Sequence, residues 1–140
     1  MKALNLIEKA FLLKKTAFFH ELDLDLVLSI ADKLDLNTFS PDTAIFSIGQ
    51  ETHHMYLIVE GKVKIEDEKR AVLAELRPGE FFGDEAIFTE KPQGYSAIAV
   101  TECVILSLSR SHLLTIISEC PSVALNLLEA YTANIAFRKR

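Results

Sequence analysis

The hydrophobic pattern of the chain changes rhythm twice. Near the start, Leu4, Ile7 and Phe11 recur three and four residues apart, which predicts one face of a helix. The run "KKTAFFHEL" breaks that period. Asp23 then stands as N-cap of a second helix with an apolar face of Leu24, Val27, Leu28, Ala31 and Leu34. From Asn37 the period shortens toward two. "NTFSPDTAIFSIGQ" is rich in strand formers and punctuated by Pro41-Asp42 and Gly49. "MYLIVEG" reads as a buried strand ending at a glycine turn, and "KVKIE" alternates, with Val63 and Ile65 on one face. "AVLAEL", the turn "RPGE" and "YSAIAVTECVILSLS" continue the series. Helical spacing returns at "SRSHLLTIISE", with Ser111 as its N-cap, and Pro121 separates it from a last stripe of Ala124, Leu127, Leu128, Tyr131 and Ile135. The order is helices, an all-β middle, then helices. A run of short strands with glycine turns predicts a sandwich, jelly roll or barrel. The one helical island inside the β region is "DEAIF".

Composition narrows the class. The chain has 140 residues, 49% of them hydrophobic, which suits one domain over 1–140 with a core of its own. Net charge is -5, a poor match to nucleic acid, whose binding rests on phosphate contacts. The tail "FRKR" is too short to form a groove and reads as a solvated helix end or the start of a linker. Glu8 and Lys9 interrupt the opening apolar run, so no signal peptide is expected, and no segment reaches the length of a membrane span. Cys103 and Cys120 lie in apolar contexts and read as buried free thiols, with a disulfide or redox pair as the alternative. A cytoplasmic location is expected.

One stretch carries candidate chemistry: "GEFFGDEAIFTEKPQGYSAI", Gly79 to Ile98. A short helix starting after a glycine presents backbone N–H groups to an anion. Gly83 and Gly94 let the backbone come close to a ligand. Asp84 and Glu85 offer acceptors for sugar hydroxyls, and Ser96 offers a hydroxyl to an anion. The plainer reading is a packed corner where both glycines only turn the chain. Elsewhere, His53 and His54 are adjacent and face opposite ways in a strand, so they do not chelate one metal together. His20 and His112 are isolated. No catalytic grouping or metal motif is visible, so neither an enzyme nor a metalloprotein is expected.

This stretch resembles the phosphate-binding cassette of the cyclic nucleotide-binding domain family, which includes the catabolite activator protein and protein kinase A regulatory subunits. Further resembling pieces run in order from about Phe18 to Leu128: "FFHEL", "FSPDTAIFSIGQ", "MYLIVEGKVKI", "LAELRPGEFFGDEAIF", "KPQGYSAIAVTECVILSL" and "PSVALNLL". The resemblance implies an α+β, mainly β fold. It is a jelly-roll-like β-roll of about eight antiparallel strands over about 37–110, flanked by helices over about 1–35 and 111–137. The family cassette reads Phe-Gly-Glu-x-Ala, then Pro-Arg-x-Ala-Thr/Ser. The glutamate takes the ribose 2′-hydroxyl and the arginine takes the cyclic phosphate.

Carried onto this chain, the implied ligand residues are Phe82, Gly83, Asp84, Glu85, Ala86, Gln93, Gly94, Tyr95 and Ser96. The implied ligand is a cyclic nucleotide, cAMP or cGMP, with no other cofactor. Three positions depart from the pattern. Asp84 is a methylene shorter than the glutamate, with Glu85 as its substitute after a small slide. Tyr95 fills a slot of small residues. Gln93 stands where the arginine belongs, with Lys91 two residues before it. Trading a charged fork for a neutral amide costs roughly 1–3 kcal/mol, or roughly five- to a hundredfold in affinity.

Two readings follow. The chain is a sensor module whose cAMP or cGMP binding is weakened or lost. Alternatively it is a degenerate roll that serves as a protein-interaction or scaffold domain, its pocket filled by Tyr95 and Phe88. Either reading leaves a protein partner or output domain unnamed, and the last helix is the natural homodimer surface.

Overall fold

The computed structural model describes residues 3–16, 19–20, 22–89 and 91–133. They form two compact units. One covers Ala3 and Leu34–Arg110; the other combines the described residues of Leu4–Lys33 with Ser111–Ala133.

The first unit is the β-roll, with eight strands among the described residues: β1 (Asp35–Phe39), β2 (Ala44–Phe46), β3 (His54–Glu60), β4 (Val63–Glu66), β5 (Val72–Leu76), β6 (Phe81–Phe82), β7 (Ser96–Ala99) and β8 (Cys103–Ser109). They make two four-stranded antiparallel sheets, ordered β1-β8-β3-β6 and β2-β7-β4-β5. The central strands β3 and β8 are near-continuous apolar runs buried on both faces; Tyr56 pairs with Ser107 and Ile58 with Ile105. β4 and β7 alternate instead. Val63, Ile65, Ala97 and Ala99 point into the roll, while Lys64, Glu66, Ser96 and Ile98 point out. Between the sheets lies an aromatic core. The Phe46 ring stands 5.5 Å from Tyr56 and 5.9 Å from Phe82, and Tyr56 stacks on Phe82 at 5.1 Å. Gly61 makes the β3–β4 turn at φ 98, where an added Cβ would lie 2.7 Å from Cys103 Sγ. The helical island is α3 (Asp84–Phe88).

The second unit holds α1 (Leu6–Lys14), α2 (Leu24–Asp32) and α5 (Ser122–Ala133), with α4 (Arg110–Glu119) but for its first residue. Asn5 and Glu8 form a reciprocal capping box at α1, at 2.8 and 3.1 Å. The expected Leu4–Ile7–Phe11 face is not the buried one. Ala10 and Leu13 are buried, while Ile7 and Phe11 are 62% and 65% exposed. On a 3.6-residue repeat the buried line runs beside Ile7 and Phe11 rather than through them. Asp23 caps α2 by position only, because its side chain makes no capping bond. Val27 and Ala31 are buried as expected, but Leu24, in the first turn, is exposed. α4 starts one residue before the expected Ser111 cap. On α5, Leu127 is buried and Leu128 exposed; the Tyr131 side chain, Ile135 and the basic tail lie outside the described residues. Both cysteines are free, Cys103 buried and Cys120 half-buried.

Candidate functional site

The cassette corner is built from β6, α3 and the return loop before β7. Gly83 is the N-cap of α3, with φ 75. A Cβ there would lie 2.9 Å from the Tyr56 ring and 3.1 Å from the His54 carbonyl oxygen, so glycine is required both by conformation and by space. Phe82 and Ala86 are buried beneath it, Asp84 is half-buried, and Glu85 is exposed.

Tyr95 reaches back over this corner. Its hydroxyl accepts the Gly83 N–H at 2.7 Å and donates to Glu85 Oε1 at 3.1 Å. Its ring lies 5.6 Å from Phe46, on the edge of the aromatic core. Burial pushes the phenol well above the usual tyrosine range, and the negative charges of Glu85 and Asp84 push it the same way. The hydroxyl therefore keeps its proton and stays a donor to Glu85.

Gln93 points inward. It is 2% exposed, and its Nε2 donates to Thr52 Oγ1 at 2.8 Å. Thr52 also hydrogen-bonds Tyr56, whose phenol burial holds high. The Gln93 backbone is fastened as well: its N–H donates to the Gln50 carbonyl at 3.0 Å, and its carbonyl accepts from the Gly49 N–H at 2.7 Å. A buried amide with partners on side chain and backbone is an integral part of the corner.

Ser96 is elsewhere. It lies on the outward side of β7, and its Oγ accepts the Ile48 N–H at 2.9 Å. With Asp42, Lys64, Glu66 and Arg70 it lines an outer groove of about 550 Å³. Gly94 is exposed, its φ lies outside the left-handed region, and a Cβ there would meet nothing within 4 Å. The expected close approach at Gly94 is therefore not made. The structure brings together Phe82, Gly83, Glu85, Ala86, Gln93 and Tyr95, with Asp84 beside them, and leaves Ser96 on the other face.

Several residues of this corner carry no sequence signal of their own. Thr52 is the Gln93 partner. Arg110 Nη1 donates to the Ile87 carbonyl at 2.7 Å and to that of Thr89 at 3.4 Å, closing the C-terminal end of α3. The His53 ring meets the Ala86 carbonyl at 3.4 Å, and the His53 carbonyl accepts the Arg110 N–H at 2.9 Å. His53 and His54 are both half-buried. Lys91 is exposed. Among the described residues, no group of three or more His, Cys, Asp or Glu is placed to hold a metal, and no helix is long and apolar enough to cross a membrane.

Comparison with known proteins bears on the family and the fold. The description "Cyclic nucleotide-binding domain" matches residues 36–120, from β1 through α4. The chain belongs to the cyclic nucleotide-binding domain family. Similar relatives of this domain include a CRP-like cAMP-activated global transcriptional regulator of Mycobacterium tuberculosis, 26% identical over 121 residues, covering 84% of this chain and 54% of the relative. The cyclic AMP receptor protein of Thermus thermophilus is 32% identical, covering 82% of this chain and 55% of the relative. The N-terminal domain of a transcriptional regulator from Streptomyces coelicolor superposes with a TM-score of 0.79 at 24% identity, covering 91% of this chain and 92% of that one, which speaks for the shared fold. This cyclic nucleotide-binding domain spans about half the length of the two curated relatives named here.

Proposed function

We propose that this chain is a non-catalytic regulatory module whose cassette is occupied by its own Tyr95, so that cAMP and cGMP bind weakly or not at all. The observation that carries the reading is the 2.7 Å bond from the Gly83 N–H to the Tyr95 hydroxyl. By family resemblance this N–H, at the start of the cassette helix, faces the cyclic phosphate. Here a neutral phenol stands in for the phosphate oxygen, and Glu85 holds the phenol in place. Gln93 supports the same reading. Its amide is neutral, buried, and already bonded to Thr52, so it brings no counter-charge to an incoming anion. Asp84 and Glu85 add negative charge at the same corner. An entering cyclic phosphate must displace Tyr95 and sit beside two carboxylates without the arginine. The module then signals through a partner or output segment, with the self-filled roll as a protein-interaction surface.

Calorimetry with cAMP and cGMP tests this on four proteins: wild type, Gln93→Arg, Tyr95→Ala and the double variant. Wild type shows no saturable heat up to about 1 mM, and the double variant gains at least about tenfold in affinity over either single one. Micromolar saturable binding by wild type would overturn the proposal. Equal binding by Gln93→Arg and the double variant would show that the phenol is not the plug.

A further inference from the structure

The cassette helix α3 has five residues, too few to hold a helical shape alone in water, so bonds from outside set its position. Those bonds gather at its two ends. At the start, the Gly83 N–H donates to the Tyr95 hydroxyl, which in turn donates to Glu85 in the first turn. At the other end, the last carbonyls of a helix lack donors within it. Here they are met by two residues from distant segments. The His53 ring lies 3.4 Å from the Ala86 carbonyl oxygen, and Arg110 Nη1 donates to the carbonyls of Ile87 at 2.7 Å and Thr89 at 3.4 Å. His53 stands at φ 51, a left-handed backbone that a non-glycine residue keeps only where its surroundings impose it. Its carbonyl accepts the Arg110 N–H at 2.9 Å, so backbone and side chain of Arg110 act on the same spot.

We infer that Arg110 is the positioning residue of the Tyr95 plug. By gripping the far end of α3 it fixes where Gly83 presents its N–H, and so keeps the phenol seated. At 1.5 Å per residue α3 is only about 7 Å long, so a displacement at its carbonyl end is carried to its glycine end. Arg110 is also the first residue of α4. The seal on the cassette is therefore held from the segment that follows the roll, and loosening the start of α4 unseats Tyr95. This inference rests on Tyr95 being the plug.

Amide hydrogen exchange of the full chain, followed by NMR, tests the grip at a distance. Gly83 reports one end of α3, Thr89 the other, and Ile65 in the β4 ladder serves as control. Arg110→Met is expected to speed exchange at both Gly83 and Thr89 at least about tenfold. Ile65 keeps its rate, because Ala86 and Ile87 stay packed beneath α3. Arg110→Lys retains a charged donor for the Ile87 carbonyl and restores most of the protection. His53→Asn tolerates the left-handed backbone but takes the ring from Ala86, and speeds Gly83 by a smaller factor. Faster exchange at Thr89 alone would overturn the proposal, because Arg110 would then cap α3 without reaching the plug. So would a Gly83 rate unchanged by both Arg110→Met and His53→Asn. Should Arg110→Met release Ile65 as well, the roll itself is failing, and His53→Asn decides by the same comparison. Calorimetry on wild type judges the plug separately. Micromolar cAMP binding there removes the plug whatever the exchange shows, whereas no binding beside an unresponsive Gly83 removes only the role of Arg110.

Discussion

The cassette corner and the β5 edge belong to the same roll and treat their polar groups in opposite ways. At the corner, the Gly83 N–H and the Gln93 amide each find a partner inside the chain. At the edge, one side of the β5 backbone faces no described strand, a bulge interrupts its pairing with β4 at Leu73, and Val72 and Leu73 stand largely in water. A ligand site needs unsatisfied groups held ready, and so does an assembly surface. In this molecule those groups lie at the sheet edge rather than in the cassette.

Mutations should separate the two regions by size of effect. Phe46, 1% exposed and in contact with three aromatic rings, is the strongest probe of the corner. Phe46→Ala is expected to cost about 3–5 kcal/mol in urea unfolding. Thr52→Val removes the partner of a buried amide and is expected to cost about 1–3 kcal/mol; Thr52→Ser should restore most of it. Gly83→Ala forces a side chain into a left-handed backbone against Tyr56 and should lose about 1–3 kcal/mol, read from the same curves. Tyr95→Phe keeps the ring and strips the hydroxyl from Gly83, for about 1 kcal/mol. At the other end of the scale, Leu73→Ser should change monomer stability by less than about 0.5 kcal/mol. A loss above about 2 kcal/mol there would mean that β5 is packed in the monomer and that the contrast fails.

Alkaline pH sharpens the same contrast. The folded Tyr95 phenol holds its proton above the ordinary value of 10.0, so it binds more protons than the unfolded chain once pH passes that value. Its contribution is whole below about pH 10 and is lost as pH rises further. Tyr56 acts in the same direction. Wild type should therefore lose stability steeply above pH 10, and Tyr95→Phe less steeply, in unfolding curves taken between about pH 9 and 11.

Much of the fold was legible because its signals are local. Alternation in "KVKIE", glycine turns and the apolar run of β3 each report one element. The helical island fell where its glycine cap put it. The α1 face was misplaced because Ile7 and Phe11 are as apolar as Leu13, and spacing alone does not say which line is buried. The cassette was found in sequence, but its state was not. That Gln93 bonds Thr52, forty-one residues away, or that Arg110 closes α3, is a matter of tertiary approach. Ser96 and Gln93 are three residues apart and looked like neighbours in one site. The strand begins at Ser96 and turns it outward, a placement that depends on register.

The two thiols give the molecule a built-in clock. Cys103 sits at 0% exposure in the roll, close under Gly61, and burial raises its pKa, so a thiol reagent reaches it only when the roll opens. Cys120, half-buried before α5, needs no such opening. In one unmodified sample, fast labelling counts the molecules present, and the slow phase times how often the β-roll comes apart.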